Sequence, residues 1–464
     1  MALPSTLGEL RGSEYRMRTI REELRDNLVD ALRHGRERFQ GLIGYGETVI
    51  PQIENAILAG QDIIFLGERG QAKSRLIRAM AQLLDEQVPV VRGSEVHDHP
   101  YAPISRFGRD LVRERGDETP IEWIGPEQRF GEKLATPDTS IADLIGEVDP
   151  IRVAEGRYLS DELTIHYGLL PRVNRGIFAI NELPDLAERI QVGLLNIMEE
   201  RDVQIRGFQV RIPLDLVVVA TANPEDYTNR GRIITPLKDR FGAQIRTHYP
   251  HSVETEVEII EQERNQFSGL GIPLHVPPYM LELVAEISQL ARRTNQVNQR
   301  SGVSVRLSIA NFESLCANAV RRSIVLQEPT AVPRLSDVGA LVASTLGKIE
   351  LETWEEGEDQ AVLQKLIRSA SGNVFRRHFS IQEFGPVLAR FEQGLTIEVG
   401  EMVPSERYQQ VADGIPEMSR ILADLDEPSQ PGSVAAALEL VLEGLHLSKR
   451  LNKTVVDGTA VYGS

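Results

Sequence analysis

The stretch Asp62-Ile-Ile-Phe-Leu-Gly67-Glu68-Arg69-Gly70-Gln71-Ala72-Lys73-Ser74-Arg75-Leu-Ile-Arg-Ala-Met-Ala-Gln-Leu-Leu84 decides how the chain is read. Ile63 to Leu66 is a short apolar run of the kind that fills a buried parallel strand. Leu76, Ile77, Met80, Leu83 and Leu84 recur at helical spacing. Between them, Gly67 and Gly70 allow backbone angles closed to other residues, so that amides can wrap a phosphate. A helix starting near Lys73 turns its positive dipole end toward the same anion. Lys73 is placed to reach terminal phosphates and the Ser74 hydroxyl to ligate Mg²⁺. The strict pattern has Gly before the lysine, where this chain has Ala72.

Outward from this stretch, Gly176 to Ile180 and Leu214 to Ala220 are further buried-strand runs and a last strand lies around Ala243 to Arg246, alternating with helical segments such as Arg189 to Glu200. That alternation predicts a parallel sheet flanked by helices. Val88 to Val91 reads as another strand, residues 92 to 140 as a long irregular polar stretch, and Val203 to Ile212 as a hairpin about Gly207. Residues 14 to 38 read as one amphipathic helix with the stripe Ile20, Leu24, Leu28, Leu32, packing on the domain that follows or serving as an oligomer contact. From His251 the pattern is helical, with a strand around Leu395 to Val399, a linker at residues 427–433 and a loosely ordered tail from Asn452. The expected organisation is an N-terminal helical extension (1–38), an α/β nucleotide-binding domain (39–250), an all-α lid (251–350) and a mainly helical C-terminal region (351–464).

A chain of 464 residues with 41% hydrophobic content can build two to four cored domains. No apolar stretch is long enough to span a bilayer, and Met1 to Leu10 lacks the pattern of a secretory signal. The single cysteine, Cys316, fits a reducing cytoplasm and argues against a cysteine-ligated metal. A net charge of −17 disfavours nucleic acid as the main ligand. His97-Asp98-His99 puts two imidazoles on one side of a strand, but no nearby cysteine or further histidine completes a metal shell, so a hydrogen-bonded loop cluster is expected.

A strand ending in an acid, downstream of a phosphate loop, is what a hydrolytic site needs. Glu182 is the expected orienter of the attacking water. Asn181 stands in the magnesium shell where an aspartate is expected, and its amide oxygen can ligate but lacks the charge. Asn223, after the next strand, can sit between the γ-phosphate and the water, or begin an Asx turn before Pro224. Arg240 is the candidate finger completing a neighbouring subunit's site, with a surface salt bridge as its plainer role. Arg306, at the start of a helix, could touch the γ-phosphate or simply be solvated.

Together these segments resemble the AAA+ ATPases, and within them the magnesium-chelatase small motor subunit (I-type) and its MoxR-like relatives. Residues 67–74 resemble the Walker A loop, which in the MoxR branch tolerates alanine before the lysine. Phe39 to Ile57 resembles the segment that contacts adenine. Ile141 to Gly146, with the segment through Gly156 and Gly168 to Gly176, resembles the inserted loop facing a ring pore. Gly176 to Leu183 resembles Walker B, with Asn181 as the departure. Ala220 to Pro224 resembles sensor one, Leu237 to Phe241 the arginine-finger segment, and Val303 to Leu307 sensor two. The resemblance spans about residues 39–345 and implies a P-loop NTPase fold, ATP and Mg²⁺ as cofactors, a homo-oligomeric ring, usually a hexamer, and a partner bearing a von Willebrand A domain. It leads to an ATP-hydrolysing motor that remodels a partner protein. The alternatives are a nucleotide-gated scaffold, the motor of a true chelatase, and a DNA-helicase-like motor, which the acidic charge disfavours.

Overall fold

The computed structural model describes residues 3–148, 162–204, 211–223, 231–299, 301–350, 358–456 and 458–464. The far part of the inserted-loop segment (149–161), the tip of the 203–212 hairpin (205–210), residues 224–230 after sensor one and most of the acidic stretch before 359 (351–357) lie outside them. The chain divides into two compact units, Met1–His248 and Tyr249–Ser464.

The first unit is built on strands β1 (Ile63–Leu66), β2 (Val88–Val91), β3 (Ile121–Ile124), β4 (Phe130–Leu134), β5 (Gly146–Val148), β6 (Ile165–Tyr167), β7 (Gly176–Asn181), β8 (Asp202–Gln204), β9 (Arg211–Pro213), β10 (Leu216–Ala222) and β11 (Ala243–Arg246). Five of them form a parallel sheet in the order β11-β1-β10-β7-β4. Alternation along the strands divides their side chains between two faces. Ile63, Phe65, Ile177, Ala179, Val217 and Val219 pack against the helices Ile20–Arg33, Val49–Leu58 and Lys73–Met80. Ile64, Phe178, Ile180, Val218 and Ala220 face the other way, onto Leu194, Ile197 and Met198 of the helix Glu188–Glu200. This is a three-layer α/β sandwich with helices on both faces.

Two parts differ from the sequence-based expectation. β2 pairs antiparallel with β3 in its own small sheet, and the outer position of the main sheet is taken by β4. The stretch 92–140 therefore holds regular structure, including the helix Arg106–Arg115. Its edge strand, Phe-Gly-Glu-Lys-Leu, carries two charges and a glycine, so it shows no apolar run. The hairpin legs β8 and β9 pair as expected.

The N-terminal helix is shorter than 14–38, because Thr19 and Glu22 form a reciprocal cap at its start. Ile20, Leu24 and Leu28 are buried against the sheet layer. Its polar side is fastened too. Glu23, 4% exposed, accepts two hydrogen bonds at 2.8 and 2.6 Å from the fully buried Arg129. At the start of β1, buried Asp62 accepts from Arg21 (2.8 Å), Arg201 (2.5 Å) and the Val218 amide (2.8 Å).

The second unit is mainly helical. A continuous apolar cluster runs from Val253 to Tyr462. Strands β12 (Ile397–Val399), β13 (Asn452–Val456) and β14 (Thr459–Gly463) form an antiparallel sheet in the order β12-β14-β13. The tail read as loose is thus a hairpin joined to the strand foreseen near 395–399. In the segment read as a linker, Glu427 is buried and lies 2.8 Å from His275. No described helix is long and apolar enough to cross a membrane.

Asp98 and His99 sit in a hydrogen-bonded loop cluster of the expected kind, whereas the Nδ1 of His97 is buried without a hydrogen-bond partner among the described residues. Asp98 accepts from the amides of Ile104 (2.6 Å) and Ser105 (2.8 Å). His99 accepts from the Tyr101 amide (2.9 Å) and stacks beside Tyr15. Burial, with Arg175 adding to it, pushes the His99 imidazole down to about 3 from 6.5. The folded chain therefore keeps His99 neutral where the unfolded chain protonates it. Its contribution to stability is complete above pH 6.5 and falls as pH drops from there toward 3, by at most about 1.4 kcal/mol per unit. Urea titrations from pH 7 to 4 are expected to show a shallower decline for His99→Gln than for the parent. Equal slopes would mean that another group carries the acid sensitivity.

Candidate phosphate-binding site

Parallel strands β1, β10 and β7 end together. Leu66 pairs with Ala222, and Ala220 with Ile180, so Gly67, Asn181, Glu182 and Asn223 emerge at one carboxyl edge. That edge is where α/β sheets hold ligands.

The loop from Gly67 folds back on itself and delivers the chain into the helix Lys73–Met80. A Cβ on Gly67 would stand 2.0 Å from Thr247 Oγ1 and 2.2 Å from Gln71 Oε1, so only glycine fits. Gln71 is the brace: its Oε1 accepts from the Glu68 amide (3.1 Å) and from Thr247 Oγ1 (2.7 Å). Its carbonyl takes the Tyr45 hydroxyl at 2.8 Å, tying the 39–57 segment to the loop. Burial pushes the Tyr45 phenol up, so it stays a neutral donor. Gly70 and Ala72 both have positive φ, 75° and 52°. The residue before the lysine thus sits in the left-handed region, which is why the pattern there favours glycine. Ala72 meets the same geometry with a small side chain.

Lys73 Nζ donates to the carbonyls of Gly67 and Glu68, the latter at 2.7 Å, which holds the ammonium over the loop. Arg69 and Arg75 are exposed beside it. Arg75 Nη2 lies 3.4 Å from where a Cβ on Gly41 would be. Ser74 Oγ is 3.3 Å from Asn181 Oδ1, which is also 3.3 Å from Thr221 Oγ1. Asn181 is 9% exposed, and its Nδ2 donates to Glu132 Oε1 at 2.6 Å. These are hard oxygen donors, and they fit Mg²⁺, which takes few protein oxygens and keeps its waters.

Glu182 follows directly. It has positive φ (56°), its amide is fixed by Thr221 Oγ1 at 3.0 Å, and its side chain is exposed at the edge. Asn223 is buried at the end of β10. Arg240 lies at the end of the short helix Thr235–Arg240, with Nη2 2.7 Å from Glu199 Oε1 and Nη1 3.6 Å from Asp239. Within one chain it therefore stands in a surface ion pair. Arg306 opens the helix Val305–Leu326 of the second unit. The first unit alone thus gathers Gly67, Lys73, Ser74, Asn181, Glu182 and Asn223. Sequence reasoning passed over Glu132, because β4 lay hidden in a polar stretch. No group of three or more His, Cys, Asp or Glu among the described residues could hold a metal.

No protein-family model matches the chain. It is similar to the magnesium-chelatase 38 kDa subunit of Cereibacter sphaeroides, 28% identical over 235 residues, covering 48% of this chain and 62% of that protein. Against the magnesium-chelatase subunit ChlI of Anabaena variabilis it is 30% identical over 225 residues, covering 47% and 60%. Against ChlI of Nephroselmis olivacea it is 24% identical over 345 residues, covering 69% and 91%. The chain thus spans about three fifths of the first of these relatives. Among solved structures, a magnesium-chelatase BchI–BchD complex aligns at 20% identity and TM-score 0.36, covering 70% of this chain and 98% of that one. NtrX from Brucella abortus in complex with ATP aligns at 13% identity and TM-score 0.41, covering 86% and 72%. Both superpositions are too loose to bear on function.

Proposed function

We propose, from the chain's place among the AAA+ ATPases of the magnesium-chelatase small-subunit and MoxR-like clade, that it is an ATP-hydrolysing motor that assembles into a ring and remodels a partner protein. One observation carries the reading: the carboxyl edge that presents Lys73 and Ser74 also presents Asn181, Glu182 and Asn223. Amides of residues 67–74 and the helix dipole hold the phosphates, and Lys73 neutralises their outer charge. Ser74 and Asn181 would hold Mg²⁺, whose chemistry there would be stabilisation of charge on the phosphate oxygens. Glu182 orients the attacking water and Asn223 places it. Arg240, released from Glu199, reaches the neighbouring subunit's nucleotide, and Arg306 keeps only the candidacy for a γ-phosphate contact that the sequence gives it. The ring, its hexameric count and a von Willebrand A partner are what the family resemblance implies, and the cytoplasmic setting rests on the single cysteine, Cys316.

A finger acting between subunits has a distinctive signature. Arg240→Ala is expected to bind ATP like the parent and to lose about 10³-fold in hydrolysis. Mixing it with Lys73→Ala chains, themselves inactive, should restore part of the rate, since intact loops would then meet intact fingers. Mixtures as dead as their components would count against a shared site. The second reading, a nucleotide-gated scaffold, is favoured by Asn181 alone. It would show ATP-dependent assembly without turnover. A third, the motor subunit of a true chelatase, draws only on the relatives' names.

A further inference from the structure

We infer that Glu132 is a positioning residue for Asn181, turning its oxygen toward Ser74 and lending the negative charge that an amide lacks. This rests on the nucleotide-site reading above.

An asparagine amide has an accepting end and a donating end, and only the oxygen can ligate a cation or accept from a metal-bound water. Which end faces the site is fixed by what the other end meets. Here Nδ2 meets a carboxylate, Glu132 Oε1, at 2.6 Å, and a carboxylate only accepts. Oδ1 is thereby left facing two hydroxyls, those of Ser74 and Thr221.

The sheet makes the pairing. β4 lies parallel to β7 with Glu132 opposite Ala179, two residues before Asn181. Two residues is one strand period, so Glu132 and Asn181 share a face, the one covered by the helix Lys73–Met80. From that helix, one turn after Ser74, Arg78 donates to both Glu132 oxygens at 2.8 and 3.2 Å and holds the carboxylate in place. The Arg78 side chain is 65% exposed, so water shares its charge, whereas Glu132 is 21% exposed. The acid missing from position 181 is thus found on the neighbouring strand, one hydrogen bond farther from Ser74. Such outer partners typically govern metal affinity by about 10–100-fold.

The test uses the full chain with a non-hydrolysable ATP analogue, reading the Mg²⁺ concentration that half-saturates nucleotide binding, so turnover is not needed. Glu132→Ala is expected to raise that concentration about tenfold. Glu132→Gln keeps an acceptor but no charge, and should shift it less. Asn181→Asp alone sets two carboxylates against each other and should not improve on the parent. The swapped pair Glu132→Gln with Asn181→Asp restores one charge and one hydrogen bond, and should return to within about twofold of the parent. Thermal midpoints of all four report folding separately. An unchanged Mg²⁺ requirement in Glu132→Ala, or single effects that simply add in the double variant, would overturn the inference while leaving the nucleotide site intact. A parent that binds the analogue no better than Lys73→Ala would remove the nucleotide reading, and this inference with it.

Discussion

Lys73→Ala is expected to lose both nucleotide affinity and hydrolysis, while Glu182→Gln is expected to lose hydrolysis alone. The difference follows from where the two side chains stand. The Lys73 ammonium is held over the loop by the carbonyls of Gly67 and Glu68, at the point where phosphate charge would gather. Removing it takes away the counter-charge in the ground state and the transition state alike, so binding and rate fall together. By analogy with other charge-stabilising donors, the rate loss is about 10²–10³-fold. Glu182 points from the strand end with its backbone fixed by Thr221 and its carboxylate exposed. Its work is confined to the water, and converting it to an amide should cost about 10²–10⁴-fold in rate with ATP still bound. Equilibrium binding of labelled ATP and phosphate release measure the two quantities. Variants that both hydrolyse at the parental rate would falsify the site. The Glu182→Gln chain, stalled with ATP, is also the form in which to isolate the protein it acts on.

Arg129→Ala should be the most destabilising single change in the first unit. Arg129 is fully buried, its Nε donates to the Arg175 carbonyl at 2.8 Å, and its two terminal nitrogens hold Glu23. Replacing a buried ion pair by apolar groups can be harmless, but removing one member strands a charge in a dry interior, at about 3–5 kcal/mol. Among the described residues, Glu23 would then have only the Asp85 amide (2.8 Å) left to it. Urea denaturation measures the loss. The double variant Arg129→Ala with Glu23→Ala should be less unstable than the sum of its parts, because no orphan charge remains. A mild single effect would mean that water reaches Glu23.

What was legible in the sequence was whatever one strand or loop declares on its own. β1, β7 and β10 are apolar runs, and the glycine–lysine–serine loop lies directly between a strand and a helix. Their order and register then place Glu182 and Asn223 without further information. What was not legible depended on partners far away in the chain. β4 is an edge strand with charges on it, and nothing in Phe-Gly-Glu-Lys-Leu distinguishes it from a loop until β7 lies alongside. Glu132 was invisible for the same reason. Arg129 and Glu23 are 106 residues apart and read singly as surface charges. Ala72 looked like a blemish, but a φ of 52° shows that the position demands a conformation and that alanine meets it at some strain. The C-terminal hairpin was missed because β13 is mostly exposed and the other partner of β14, β12, lies about sixty residues upstream.

The Asp62 cluster gives the first unit a polarity that reaches beyond stability. One carboxylate anchors an N-terminal helix through Arg21, the start of the β8–β9 hairpin through Arg201, and the middle strand through the Val218 amide. All of this lies at the root of the sheet, opposite the glycine loop. Like a keystone set under a vault, it ties three separate elements together at that end. Substitutions at Asn181 or Arg240 are therefore expected to leave this anchoring in place, because none of the Asp62 contacts passes through the carboxyl edge.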